Sequence, residues 1–192
     1  MKIVHIFLSL SILFLFSGCI YIANPNYKKG RYKLSQCKKE LAVDGDFRPY
    51  EKIDQIIVDK SKRRMYLYVG KRKKHTFRIS LSRKKGKKIQ RGDLKVPEGR
   101  YHITKKRCHS KYYRMIYISF PNQQDKIEAS SRGVSAGSGI TIHAQPFWNK
   151  NGKGNGYTLS KNWTNGCIAV TNQAMDKLWY AVDAGTPIEI RP

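Results

Sequence analysis

Acid is scarce in this sequence. Thirteen Asp+Glu face 38 Lys+Arg, a formal net charge of +25 over 192 residues. That balance directs attention to anionic partners. Long apolar runs are lacking as well. The one hydrophobic stretch, Ile6 to Phe16, is broken by Ser9 and Ser11 and falls short of the about 20 apolar residues that a membrane-spanning helix needs. Internal repeats are absent, which excludes a solenoid or repeat array. Low complexity is confined to the basic clusters. Helical periodicity is found in a single segment, which excludes a helical bundle. Cysteine is limited to four positions, 19, 37, 108 and 167, too few for a disulfide-dense scaffold.

The beginning of the chain reads as a processing signal. Lys2 supplies a positive start, and the apolar run that follows has the length of a signal-peptide core. It ends in Leu15-Phe16-Ser17-Gly18-Cys19, which resembles a bacterial lipobox. Cleavage is then expected after Gly18, with Cys19 acylated; ordinary secretory cleavage, leaving a free Cys19, is the alternative. Each buried CH₂ of an acyl chain contributes roughly 0.8 kcal/mol, so durable anchoring takes more than one chain. Ile20, rather than Asp, follows the cysteine, which favours the outer over the inner membrane. Residues 1–18 are therefore read as signal peptide, 19–49 as a lipidated, basic tether, and 50–192 as one domain large enough for its own core.

The positive charge is gathered in clusters, Lys60 to Arg64, Lys71 to Lys74, Arg83 to Lys88 and Lys105 to Arg107. They flank turns such as Val69-Gly70-Lys71. Either they are solvated loops, or they attract an anionic surface at about 1 kcal/mol per nearby Lys or Arg. Nucleic acid is the usual partner for such charge, but an exported chain rarely meets it. Anionic lipid and cell-wall carboxylates are the expected partners, and no nucleic acid is expected.

Within the domain, alternation of apolar and polar residues argues for strands. Met65, Leu67 and Val69 alternate with Tyr66 and Tyr68; beyond a turn at Gly70, Phe77, Ile79 and Leu81 alternate with Arg78 and Ser80. This is a hairpin. Further strands are expected at 56–58, 100–104, 114–120, 140–143, 167–170 and 188–190. Only 173–184 has helical spacing, with Ala174, Leu178, Trp179 and Val182 on one face and Gly185 as its stop. Two long loops remain, 83–97 and 145–162, and long loops in a small β domain are often functional.

The chemistry-bearing residues are Cys167, in Trp163-Thr164-Asn165-Gly166-Cys167-Ile168-Ala169-Val170-Thr171-Asn172, and His143, 24 residues upstream in Gly139-Ile140-Thr141-Ile142-His143-Ala144. Gly166 lets another backbone approach closely. A cysteine beside a histidine is the usual pairing of a thiolate nucleophile with its base. The blander readings are an inert buried thiol and a structural histidine. Trp163 is either a groove lining or a core aromatic, and Thr164 either donates a hydrogen bond near the site or shapes the turn. His5 leaves with the signal, and His75, His102 and His109 read as surface or loop residues. Cys37 and Cys108 either pair, as an exported compartment permits, or are unrelated thiols.

These residues resemble the catalytic domain of bacterial L,D-transpeptidases of the YkuD type. The family pattern is a His, a spacer, then Ser/Thr-x-Gly-Cys, matched by His143 and Thr164-Asn165-Gly166-Cys167. The likeness runs over roughly residues 53 to 192 and includes Ile57-Val58-Asp59-Lys60, Gly92-Asp93-Leu94-Lys95-Val96-Pro97-Glu98-Gly99 and Gly185-Thr186-Pro187-Ile188-Glu189-Ile190. Three positions depart from the common pattern: Asn165 where many members have His, Ala169 where many have Arg or Asn, and Val96 where Thr is usual. The run Gly-Cys-Ile-Ala-Val-Thr-Asn is similar to a subgroup that includes hydrolysing relatives.

The resemblance implies a mainly β fold, a YkuD-type β-sandwich or barrel-like domain with one C-terminal helix. It implies a cysteine acyltransferase acting on peptidoglycan stem peptides. Cys167 would be the nucleophile and His143 its base, oriented by the carbonyl of Ala144. Backbone N–H groups around Asn165, Gly166 and Cys167 would hold the oxyanion, with Thr164 and Trp163 on the substrate side. No cofactor and no metal are needed. A monomer is expected, on the periplasmic face of the cell envelope, held there by its lipid anchor and basic surface. A hydrolase of the same fold and a non-catalytic cationic wall-binding lipoprotein are the alternatives.

Overall fold

A computed structural model describes residues 37–39, 50–109, 111–112, 114–146 and 154–192. The expected signal peptide, the acylated Cys19 and most of the tether lie outside the described residues.

Eight strands form one sheet in the order β3-β2-β1-β8-β4-β5-β6-β7. They are β1 (Gln55–Asp59), β2 (Arg64–Val69), β3 (Arg72–Arg78), β4 (Gly99–Cys108), β5 (Arg114–Ile118), β6 (Thr141–His143), β7 (Ile168–Ala169) and β8 (Pro187–Arg191). The long β4 serves two neighbours. Its first residues pair with β8, and those from Ile103 onward pair with β5. The sheet then curls back on itself. The chain leaving β3 reaches β7, where Ser80 and Ala169 exchange both backbone hydrogen bonds at 2.8 Å. Closure of this kind removes an exposed strand edge. The expected barrel-like, mainly β architecture is what the chain adopts.

Period-two burial explains why these segments are strands. Ile56 and Val58 of β1, Met65 and Leu67 of β2, and Ile188 and Ile190 of β8 all point inward and are essentially inaccessible. Each such side chain contributes about 1.5–3 kcal/mol relative to exposure. The hairpin turns at Gly70, whose φ is +54°, a value glycine adopts without strain. Its second arm begins at Arg72, earlier than the apolar pattern implies. Residues 72–75 are basic, and three of them are paired with β2 through their backbone; that hydrogen bonding leaves no hydrophobic signature.

Among the described residues, besides a helical turn at 37–39, the helices are α1 (Gln123–Ser131), α2 (Gly154–Ser160) and α3 (Asn172–Ala181). Only α3 carries an amphipathic pattern, and it is the expected one. It starts at Thr171, whose Oγ1 accepts the N–H of Ala174 at 3.1 Å, and buries Ala174, Met175, Leu178 and Trp179. It stops before the expected position. Val182 is already extended, and Gly185 instead turns the chain into β8, donating its N–H to Ile103 at 2.8 Å.

The other two helices correct the expectation of a single one. α1 is set by its cap rather than by an apolar stripe. Asn122 accepts the N–H of Asp125 at 2.9 Å, and Asp125 accepts that of Asn122 at 3.0 Å, a reciprocal arrangement of the capping-box type. α2 contains two glycines and has little intrinsic propensity. Its last carbonyls are taken by tertiary partners: Thr158 accepts from Ser80 Oγ at 2.8 Å and Trp163 Nε1 at 3.0 Å, and Leu159 accepts from Arg63 at 2.7 Å.

Cys37 and Cys108 form a disulfide, with Cα atoms 5.9 Å apart. Cys37 is fully buried, so the pair joins residues 37–39 to the end of β4.

Candidate active site

β6 lies between β5 and β7. It runs parallel to β7, with Ile142 opposite Ile168 and His143 opposite Ala169. Side chains two apart on a strand share a face, so Thr141 and His143 point the same way. Cys167 immediately precedes β7, level with Thr141. The Thr141 hydroxyl donates to Cys167 Sγ at 3.4 Å. The two ends of the strand pair therefore bring Cys167 and His143 to one cavity of about 570 Å³, which both line. Among the described residues, Cys167 is the one free cysteine.

His143 is almost wholly buried, at 2 % exposure. Its Nδ1 lies 2.9 Å from the carbonyl oxygen of Ala144. A carbonyl can only accept, so Nδ1 carries the proton in this contact and Nε2 keeps its lone pair. The peptide that carries this carbonyl is itself held, since its N–H, that of Gln145, donates to Asn172 Oδ1 at 3.1 Å. Burial disfavours the imidazolium and lowers the His143 pKa to about 4, against the opposing hydrogen bond to Ala144; nearby His109 lowers it further. Tyr112 packs on the imidazole with ring centroids 4.2 Å apart, and Trp163 meets it edge-on at 5.5 Å.

The turn carrying Cys167 is built by its own sequence. Thr164 is buried, and its hydroxyl donates to Cys167 O at 2.7 Å and accepts from Gly166 N at 3.4 Å. Of the two readings of Thr164, shaping the turn is the one its contacts fit. Gly166 has φ +127°, and a Cβ there would stand 3.0 Å from the carbonyl oxygen of Lys95. The close backbone approach expected before the cysteine is thus present, with Lys95 as the approaching residue. Asn165 is exposed and lines the cavity. Gly166 N–H is directed at Thr164, whereas no described residue accepts the Cys167 N–H.

Trp163 lines the cavity, and its indole N–H is tied to α2. Thr141, Tyr112, Met115, Arg83, Lys161 and Asn162 complete the surroundings and were not singled out by motif. Thr141 was legible by its two-residue spacing from His143. Tyr112 was not, because only folding brings the segment after β4 over β6. His109, read as a surface or loop residue, lies in the loop after β4, half-buried against Tyr112 with ring centroids 5.5 Å apart. Arg83 and Lys161 give the cavity lining two cations and no carboxylate. Among the described residues no three His, Cys, Asp or Glu side chains converge as a metal-binding group.

Residues 53–190 match the family described as YkuD, L,D-transpeptidase catalytic domain. The chain is 29 % identical to YafK of Escherichia coli (strain K12) over 99 residues, half of this chain and 32 % of that protein. It superposes on the helical cell shape determining protein Pgp2 of Campylobacter jejuni with a TM-score of 0.56 and 24 % identity, over 83 % of this chain and 55 % of Pgp2. Bd1075 of Bdellovibrio bacteriovorus is similar at a TM-score of 0.50 and 24 % identity, over 75 % and 50 % of the two chains. The matches cover about a third of YafK and about half of the two solved chains; the two structural likenesses show the fold.

Proposed function

Because this chain belongs to the YkuD L,D-transpeptidase catalytic domain family, we propose that it is a cell-wall transpeptidase whose nucleophile is Cys167. The observation that carries this reading is His143, held by Ala144 through Nδ1 beside the cavity that Cys167 also lines. A neutral imidazole with a free Nε2 is the species that can take a thiol proton.

The donor is a peptidoglycan tetrapeptide stem. Nε2 of His143 takes the proton from Sγ, and the sulfur attacks the carbonyl carbon of the third residue. The oxyanion is held by the unengaged Cys167 N–H, with Asn165 N–H beside it. The bond to the terminal D-alanine breaks, and its amine leaves with the proton from His143. An amine then attacks the thioester and gives its proton to His143, and Cys167 is regenerated. With a second stem as acceptor the product is a 3-3 crosslink; with a protein lysine it is an attached protein. The cationic lining from Arg83 and Lys161 supports a carboxylate-bearing donor.

A second reading is a hydrolase, with water as acceptor. Ala169 favours it. This residue is fully buried opposite His143 and offers no polar group to an acceptor, where many relatives carry Arg or Asn. For the whole chain we further propose lipid anchoring at Cys19, a tether over residues 19–49 and a catalytic domain over 50–192, on the periplasmic side of the envelope.

The test is intact mass spectrometry of the purified protein incubated with a disaccharide-tetrapeptide. A transient adduct on Cys167, absent in Cys167→Ala, is expected. Products formed with and without an acceptor amine separate transfer from hydrolysis. A folded, reduced protein that gives neither adduct nor product would overturn the reading.

A further inference from the structure

The loop after β3 holds a buried ion pair that the proposed chemistry does not use. Lys88 Nζ lies 2.8 Å from Asp93 Oδ1, with the two side chains only 5 % and 9 % exposed. Lys88 Nζ also donates to Gln90 O at 2.9 Å. The Asp93 carboxylate accepts three backbone N–H groups as well, from Ile89 at 2.8 Å, Gln90 at 3.1 Å and Lys95 at 3.1 Å. The base of the loop is closed by Lys88 N–H on Val96 O at 3.2 Å. Leu94, between the two held ends, adopts φ +57°, a conformation that a branched aliphatic residue takes only where its surroundings impose it.

What the loop presents is Lys95. Its N–H is fixed by Asp93, and its carbonyl oxygen abuts Gly166, where a Cβ would stand 3.0 Å from it. Gly166 immediately precedes Cys167. A line of contacts therefore runs from the Lys88 ammonium through the Asp93 carboxylate and the Lys95 peptide to the nucleophile turn. The opposite side of that turn is held independently: Trp163 and Thr164 both donate backbone N–H to Leu81 O at 3.0 Å, and Arg83 N–H donates to Thr164 O at 3.2 Å. None of residues 88–95 lines the cavity.

We propose that Lys88 and Asp93 are positioning residues for Cys167, acting through the Lys95 carbonyl wall on Gly166. The wall fixes the peptide preceding Cys167, and with it the direction of the Cys167 N–H and the placement of Sγ. A charged pair suits this task because its hydrogen-bond geometry defines the position of the loop tip more sharply than apolar packing would. The inference builds on the proposed role of Cys167, but its main readout is independent of the donor.

The experiment compares wild type with Lys88→Met/Asp93→Leu, which removes both charges together and so leaves neither buried alone, and with Lys88→Arg, which keeps the pair. Ile56→Val, in β1, is the stability control. Cys167 alkylation by iodoacetamide, turnover of a tetrapeptide donor, and the ¹⁵N-resolved amide resonances of Gly166 and Cys167 are measured. In the double variant, alkylation and kcat are expected to fall roughly tenfold or more, as a displaced nucleophile implies. The donor KM should change little and both amide resonances should shift. Lys88→Arg should stay close to wild type, and Ile56→Val should lose nothing. A folded double variant with wild-type alkylation, kcat and resonances would overturn the proposal. If the double variant does not fold, Lys88→Met decides, since Asp93 then keeps its three backbone donors: displaced Gly166 and Cys167 resonances with altered alkylation sustain the proposal, and unaltered ones refute it. If wild type turns over no donor, the proposed reaction fails, and alkylation still decides the positioning role.

Discussion

The Tyr112 ring lies against the His143 imidazole, with centroids 4.2 Å apart. Tyr112 follows β4 and His143 ends β6, so the contact exists only in the folded chain. With Trp163 on another side at 5.5 Å, the imidazole is shut off from water and keeps its neutral form. Neutrality is what a proton acceptor requires.

Replacing Tyr112 by Ala admits water to one face of that ring. The His143 pKa should then rise from about 4 towards the ordinary value of about 6.5. An NMR titration of the imidazole C–H resonances reads this directly. An unmoved pKa would mean that Tyr112 contributes nothing to the burial.

The same burial makes stability depend on pH. Folding depresses the His143 pKa, so between about 6.5 and 4 the unfolded chain binds a proton that the folded chain refuses. Stability therefore falls as pH is lowered through that window and is level above it. One such group contributes a slope of at most about 1.4 kcal/mol per pH unit. His75 and His109 are shifted in the same direction, chiefly by burial, and add to it. Urea unfolding at stepped pH should show a shallower acid slope in His143→Gln; an identical slope would remove His143 from the account.

Thr164→Val should keep the fold and loosen the nucleophile turn. It deletes the 2.7 Å bond to Cys167 O and the acceptor for Gly166 N–H, a loss of about 1 kcal/mol per bond. Cys167 alkylation should slow with it. A variant with wild-type stability and alkylation would show that the turn is held without Thr164.

The disulfide is expected to contribute about 2–4 kcal/mol, since it closes a long loop in the unfolded chain between residues 71 apart in sequence. Cys37→Ser with Cys108→Ser should lower the urea midpoint, and a reductant should do the same to wild type while leaving the double variant unmoved. Equal midpoints throughout would argue that residues 37–39 add nothing to the domain.

Much of this protein was already decided by local sequence. Two-residue alternation marked β1, β2 and β8 because burial on one face imposes that period. The Cys167 and His143 motifs and the glycine before the cysteine were legible too, since each depends on residues adjacent in the chain; Ala144 as the histidine's partner came from the family resemblance. Tertiary structure decided the rest. Helix α1 has a cap but no apolar stripe, and α2 forms where Arg63, Ser80 and Trp163 take its carbonyls. The pairing of Cys37 with Cys108, the burial of His143 under Tyr112 and the approach of Lys95 to Gly166 likewise join segments far apart in the chain. No local periodicity encodes such contacts, because they arise only when the sheet curls and brings loop 83–97 and Tyr112 onto the ends of β6 and β7.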